Sequence, residues 1–177
     1  MNWANFVLEI SFIISIYNFV YNKIFRNFAG SYNETYTTMD AITEYNMTLE
    51  PLRVITGVAM KVHAEYKPGL LESAYEAAME YLLTEDGHQV ERQKMLPIYW
   101  KDAQLEQTYR MDLVIDGIIV ELKAVKHTTE EHVRQLWNYM HLTHTKYGML
   151  INFGSDRLYS AWYKLYQDGT IEKVKLM

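Results

Sequence analysis

Asp112, Glu121 and Lys123 are the side chains of this chain whose types and spacing could do chemistry. They sit in Tyr109–Lys123, where two strand-like runs flank Asp116-Gly117, the strongest short-range hairpin signal. A two-residue turn sets Ile115 opposite Ile118. Continued outward, that register places Asp112 opposite Glu121 and Arg110 opposite Lys123. Alternation along a strand then gathers these four charges on one face. It leaves Met111, Leu113, Ile115, Ile118, Val120 and Leu122 on the other. Facing carboxylates repel. A divalent cation between them would remove the repulsion, and oxygen ligands on rigid strands suit Mg²⁺. A lysine alongside completes a site able to activate water against a phosphodiester. Diagonal salt bridges on a solvated sheet face are the plainer reading of the same square. Val114 and Ile119 weigh against it: they share the charged face, so the strands are expected to be covered on both sides. Charges beside a covered surface are costly unless paired or metal-bound.

The elements that must position these groups follow from pattern. Apolar spacing at Leu52, Ile55, Val58, Ala59 and Val62 predicts a helix over 52–66, with Pro51 in its first turn. A second helix is expected over 70–83, burying Leu71, Ala74, Ala78 and Leu82. Val90 to Trp100 reads as a strand that Pro97 pushes toward an edge or a bend. After the central hairpin, Thr128 and Glu131 form a capping-box pattern opening a helix that buries Val133, Leu136, Trp137 and Met140. Tyr147 to Phe153 is a further strand, and a terminal hairpin turns at Asp168-Gly169. This order predicts a mixed sheet with helices on its faces.

The chain has 177 residues, 49% of them hydrophobic, enough for one domain with a sizeable core. It has no cysteine, which excludes a disulfide scaffold, thiol catalysis and Cys-based zinc sites, and fits a reducing cytoplasm. The formal net charge of −5 means that any nucleic-acid contact must use a local basic patch. Residues 1–46 read as an apolar extension followed by a polar linker over 30–38, and 47–177 as the folded domain. The apolar stretch 6–28 is interrupted by Glu9, Lys23 and Arg26, and its cleanest part, 10–20, is short for a bilayer span. A packing extension is the favoured reading. A membrane anchor and a true start at Met39 or Met47 stay open.

These residues resemble the PD-(D/E)XK nuclease superfamily, and within it the GxxExxY family. The pattern is Asp112, then Glu121-Leu122-Lys123, after a helix with Gly69-Leu70-Leu71-Glu72-Ser73-Ala74-Tyr75. Similar blocks recur at 90–93, 96–99, 109–113, 135–140 and 148–154, so the resemblance covers about residues 52–154. Met111 stands where the superfamily's name has proline, and Tyr66-Lys67 where a Leu-Gly pair is usual.

The resemblance implies a restriction-endonuclease-like αβββαβ sandwich, α/β in class, that cleaves phosphodiesters with Mg²⁺ or Mn²⁺. Asp112 and Glu121 would hold the metal, with Glu72 approaching from its helix. Lys123 would orient the water. Gln135 would act beside the scissile backbone with Tyr139, four residues on along the same helical face. Arg110, Tyr139, Tyr75 and His63 are the substrate-side candidates. DNA is the expected partner, with repair or defence as settings, and a homodimer would let such a nuclease reach both strands. The alternative is a non-catalytic nucleic-acid-binding or accessory module that keeps the fold. Each residue also has a structural reading. Glu72 in a first turn is favoured by the helix dipole, Tyr75 is equally a core tyrosine, His63 a hydrogen-bonded structural histidine, and Gln135 a solvated side chain. His141 and His144 suggest a zinc pair without a third ligand.

Overall fold

A computed structural model describes residues 33–174, with side chains from residue 49 onward. The chain divides at Leu49/Glu50. The second unit carries the sheet and the clefts described below, and the apolar stretch 6–28 lies outside the described residues.

The central hairpin forms between β2 (Ala103–Ile115) and β3 (Ile118–Lys123). Asp116 and Gly117 have φ of 49° and 82°, the left-handed pair that a type I′ turn requires. Asp116 is held there by its own carboxylate, which accepts the Gln89 N–H at 2.9 Å and lies 2.6 Å from His88 Nδ1. The register runs as expected from Ile115–Ile118 through Val114–Ile119 to Leu113–Val120. There the β2–β3 pairing stops. Asp112 Oδ2 accepts the N–H of Leu122 at 2.8 Å, so a side chain takes over the acceptor role of the backbone. Neither Asp112 with Glu121 nor Arg110 with Lys123 therefore forms the cross-strand pair that continued alternation places.

β1 (Val90–Trp100) is antiparallel to β2, with its register shifting between Pro97 and Tyr99, and it lies at the sheet edge as its proline demands. α3 (Glu130–Thr143) carries the chain from β3 to the parallel β4 (Tyr147–Asn152). β5 (Tyr159–Leu165) and β6 (Ile171–Lys173) complete a six-stranded sheet in sequential order. α3 covers one face, where Val114, Ile119 and Leu150 meet Leu136, Tyr139 and Met140. The other face takes α2 (Glu72–Glu85) and the part of α1 (Asn33–Tyr66) that follows Leu49. Trp162 Nε1 donates to Thr56 Oγ1 of α1 at 3.1 Å, and Tyr75 of α2 stacks on Phe153, ring centroids 4.4 Å apart. Every residue of β3 is buried, the both-sides-covered strand that Val114 and Ile119 implied.

Several expectations are corrected. Met111 is buried with Val114 and Ile119 beneath α3, not on the opposite face. Alternation breaks at Asp112: Gln93, which stands across from it on β1, has φ 56° and falls in a gap of the β1–β2 pairing. α1 begins at Asn33, so Pro51 lies inside it and residues 33–38 are helix, not linker. Apolar periodicity marked only the buried stripe of that helix; its polar beginning carries no such signal. α2 buries Tyr75, Glu76, Met79 and Leu83, one step round from the expected face, and Leu71 is 78% exposed at its N-cap. The N-cap of α3 is Thr129, whose N–H is taken by His132 Nδ1 at 3.2 Å, one residue beyond the expected box.

Candidate active site

Glu121 is completely buried near the end of β3. Its Oε1 accepts from Lys123 Nζ, two residues along the same strand and on the same face. Its Oε2 has no hydrogen-bond partner. Burial, then the nearby charge of Asp112, push the Glu121 carboxyl up to about 7 against the pull of Lys123. Burial likewise raises Asp112 to about 6, although the Leu122 N–H and Lys123 both favour its charged form. Burial works against the Lys123 ammonium, yet Glu121, Asp112 and Glu72 together lift it above its ordinary value. The result is a pair of crowded carboxylates that resist double ionisation, bridged on one side by a fixed ammonium.

Glu72 reaches this group from α2. Its Oε2 lies 4.0 Å from Lys123 Nζ, and its Oε1 accepts the Ala124 N–H at 3.3 Å. Tyr75 explains how Glu72 is placed. Its hydroxyl donates to Lys67 O at 2.6 Å and accepts from Leu70 N at 3.2 Å, pinning the turn that launches α2. Tyr75 is fully buried, and His63 is nearly so. His63 Nε2 lies 2.8 Å from the Ser155 carbonyl, which can only accept, so that nitrogen carries the hydrogen.

Arg110 lines a cleft of about 650 Å³ together with Leu71, Glu72 and Asp112. Gln135 and Tyr139 line a second, of about 530 Å³, with Tyr109 and Arg134. Gln135 Nε2 donates to the Tyr139 hydroxyl at 2.9 Å, which donates to Arg110 O at 3.3 Å. The pair thus ties α3 to β2 two residues before Asp112. Glu72, Asp112, Glu121 and Lys123 are brought together; Arg110, Gln135 and Tyr139 flank them; Tyr75 and His63 are packed behind. His141 and His144 lie at the other end of α3.

Three contributors escaped the sequence reading. Glu76, buried one turn after Glu72, accepts from Gln93 Nε2 at 2.6 Å and its charge adds to the rise of Asp112. Its i, i+4 spacing from Glu72 was the available signal. Asn152 is buried and clamps the segment after Lys123, its Nδ2 donating to Val125 O at 2.8 Å and its Oδ1 accepting from Val125 N and Gly154 N at 3.0 Å each. Gly154 is required beside it, because a Cβ there would lie 2.3 Å from Val125 O. Asn152 and Gly154 read only as a strand end; their partner is far off in the chain.

Among the described residues no three His, Asp or Glu side chains converge as a ready-made metal cage. Mg²⁺ does not need one, since it binds through one or two carboxylates and otherwise keeps water and substrate phosphate oxygens. Two adjacent carboxylates that resist joint ionisation, one with an unpartnered buried oxygen, fit such an ion.

The family model of the PD-(D/E)XK nuclease superfamily matches residues 50–164, and the chain belongs to that superfamily. Its mixed sheet between helices is the restriction-endonuclease-like fold. No curated protein matches the chain. Among solved structures it is similar to one described as "Crystal structure of SSO0001", at 19% identity and a TM-score of 0.41, over 59% of each chain. The chain therefore spans less than two thirds of the length of that structure. Among the described residues no helix is long and apolar enough to cross a membrane.

Proposed function

We propose that the chain is a Mg²⁺- or Mn²⁺-dependent nuclease that cleaves DNA in the cytoplasm, a GxxExxY member of its superfamily whose domain spans 47–177. The observation that carries this reading is the buried Oε2 of Glu121, unpartnered beside the carboxylate of Asp112. Gly69–Tyr75 supports the finer family: Glu72 meets the backbone just after Lys123, and Tyr75 fixes the turn before it.

Asp112 and Glu121 would hold the ion, with Glu72 at its edge. When bound, a divalent ion supplies Lewis-acid stabilisation of charge on the phosphoryl oxygens. The protein's own part is positional. Lys123, fixed by Glu121, can hold a water against phosphorus and balance the charge that builds there. Arg110 faces the same cleft as Asp112 and is placed to grip a phosphate. Gln135 can donate to the backbone beside the scissile bond.

The test incubates the purified full chain with duplex and single-stranded DNA and with RNA, with Mg²⁺, Mn²⁺ or chelator. The expected result is DNA cleavage that chelator and Glu121→Gln both abolish, with circular dichroism unchanged. Cleavage of RNA alone would remove the DNA assignment. Binding of nucleic acid without turnover in either metal would establish the accessory-module reading instead.

A further inference from the structure

A cleft of about 810 Å³ lies away from the carboxylates, between the C-terminal end of α3 and the β5–β6 hairpin. His141 and His144 enter it from α3, Lys146 from the start of β4, and Lys164 and Tyr166 from the hairpin. Asp168 is the carboxylate in its lining, and its Oδ1 is engaged by the Thr170 N–H at 2.9 Å. Glu172 stands opposite Lys164 in the β5–β6 pairing without forming an ion pair with it. Among the described residues no carboxylate pairs with Lys146 or Lys164. Each lysine lies instead over a tyrosine ring, Lys146 Nζ 5.4 Å from Tyr147 and Lys164 Nζ 4.7 Å from Tyr166.

Helix C-termini favour cations, which accounts for His141 without any ligand. It does not account for Lys164, which comes from another strand, or for the cleft between them. Ammonium groups mounted on aromatic rings and outside any ion pair, although Asp168 and Glu172 stand near the Tyr166 ring, are what a phosphodiester backbone needs. In a chain of net charge −5 this lining carries two lysines against one carboxylate.

The cleft is joined to the candidate active site by α3 itself. Glu131, Arg134, Asn138 and His141 are exposed at helical spacing, and the first three also line the cleft of Gln135 and Tyr139. β4 gives the distance. Its C-terminal end pairs beside Lys123 and its N-terminal end opens the basic cleft, so five strand steps of about 3.3 Å separate them by about 17 Å.

We propose that this basic cleft is a second nucleic-acid contact, which grips the phosphate backbone of the substrate about 17 Å from the catalytic carboxylates along the outer face of α3. The inference rests on the nuclease reading and names how that nuclease holds a substrate beyond the reacting phosphate.

The experiment measures DNA binding by the full chain in chelator, by fluorescence anisotropy over a range of salt. One labelled duplex is long enough to run from the carboxylates past Lys146; another is too short to do so. Lys146→Glu/Lys164→Glu is compared with wild type, and the milder Lys146→Gln/Lys164→Gln guards against misfolding. The expected result is a loss of about tenfold or more in affinity for the long duplex, with the slope of log affinity against log salt reduced by about two and the short duplex unaffected. Wild type binding that neither variant changes overturns the second contact and leaves the nuclease reading intact. Failure of wild type to bind even the long duplex in chelator also overturns the second contact, whereas the nuclease reading falls only if the metal-loaded protein cleaves no DNA.

Discussion

Asp112→Asn should make the metal-free protein more stable at alkaline pH while removing its activity. Burial raises the Asp112 carboxyl from 3.8 to about 6. At about 1.4 kcal/mol for each pH unit of displacement, ionised Asp112 costs the fold about 3 kcal/mol. Asparagine keeps an oxygen to accept the Leu122 N–H and removes the charge, which also relieves Glu121, whose own rise owes its second contribution to Asp112. Allowing for an imperfect amide geometry, the expected gain is about 2 kcal/mol near pH 8. The sign of the pH dependence follows from the raised value. Above about pH 6 the carboxyl is ionised in both states and the folded state bears the full cost. As pH falls through about 6 the folded state takes up its proton first, so the wild type regains stability until the unfolded chain also protonates near 3.8. The variant has no carboxyl at position 112 to titrate in that window, and its advantage should vanish by about pH 4. Urea denaturation of both proteins in chelator across this range measures the difference directly. A divalent ion reverses the balance: Mg²⁺ should raise the melting temperature of the wild type and scarcely move that of the variant, because only the former holds the ion in its folded state. A variant less stable than wild type near pH 8 in chelator would refute the claim that the site stores electrostatic repulsion. Equal Mg²⁺ shifts in both would refute Asp112 as a ligand.

Other outcomes follow from the same geometry. Lys123→Ala leaves Glu121 buried without its cation, so stability should fall by about 3 kcal/mol at alkaline pH. Most of that loss should return on acidification, and the recovery should begin above the wild-type value of about 7 because Lys123 no longer holds the Glu121 carboxyl down, as denaturation at a series of pH values would show. Cleavage by the same variant should drop by at least about a hundredfold. Tyr75→Phe removes the hydroxyl from both Lys67 O and Leu70 N and should cost about 1–3 kcal/mol, with kcat reduced through Glu72 and KM little changed; steady-state kinetics beside thermal melts would separate the two. Gly154→Ala drives a methyl into the Val125 backbone and should destabilise by about 3 kcal/mol or more, seen as a lowered denaturation midpoint.

Much of the candidate site's geometry is local, and local geometry is legible in a sequence. Asp116-Gly117 determined the turn type, and the turn determined the register from Ile115–Ile118 to Leu113–Val120, which ends one residue short of Asp112 and Glu121 but leaves their charges interacting. Lys123 shares the face of Glu121 because side chains alternate. The order of helices and strands was readable for the same reason: periodicity and turn chemistry act over a few residues. Tertiary structure decided what depends on distant segments. Glu72 meets the Ala124 N–H across 52 residues of sequence. Tyr75 became a buried brace because Phe153 lies against its ring, and Met111 changed sides because Gln93, on another strand, breaks the pairing across from Asp112. The raised carboxyls of Asp112 and Glu121 come chiefly from desolvation, which no spacing encodes, since it is the packing of the surrounding elements that removes the water.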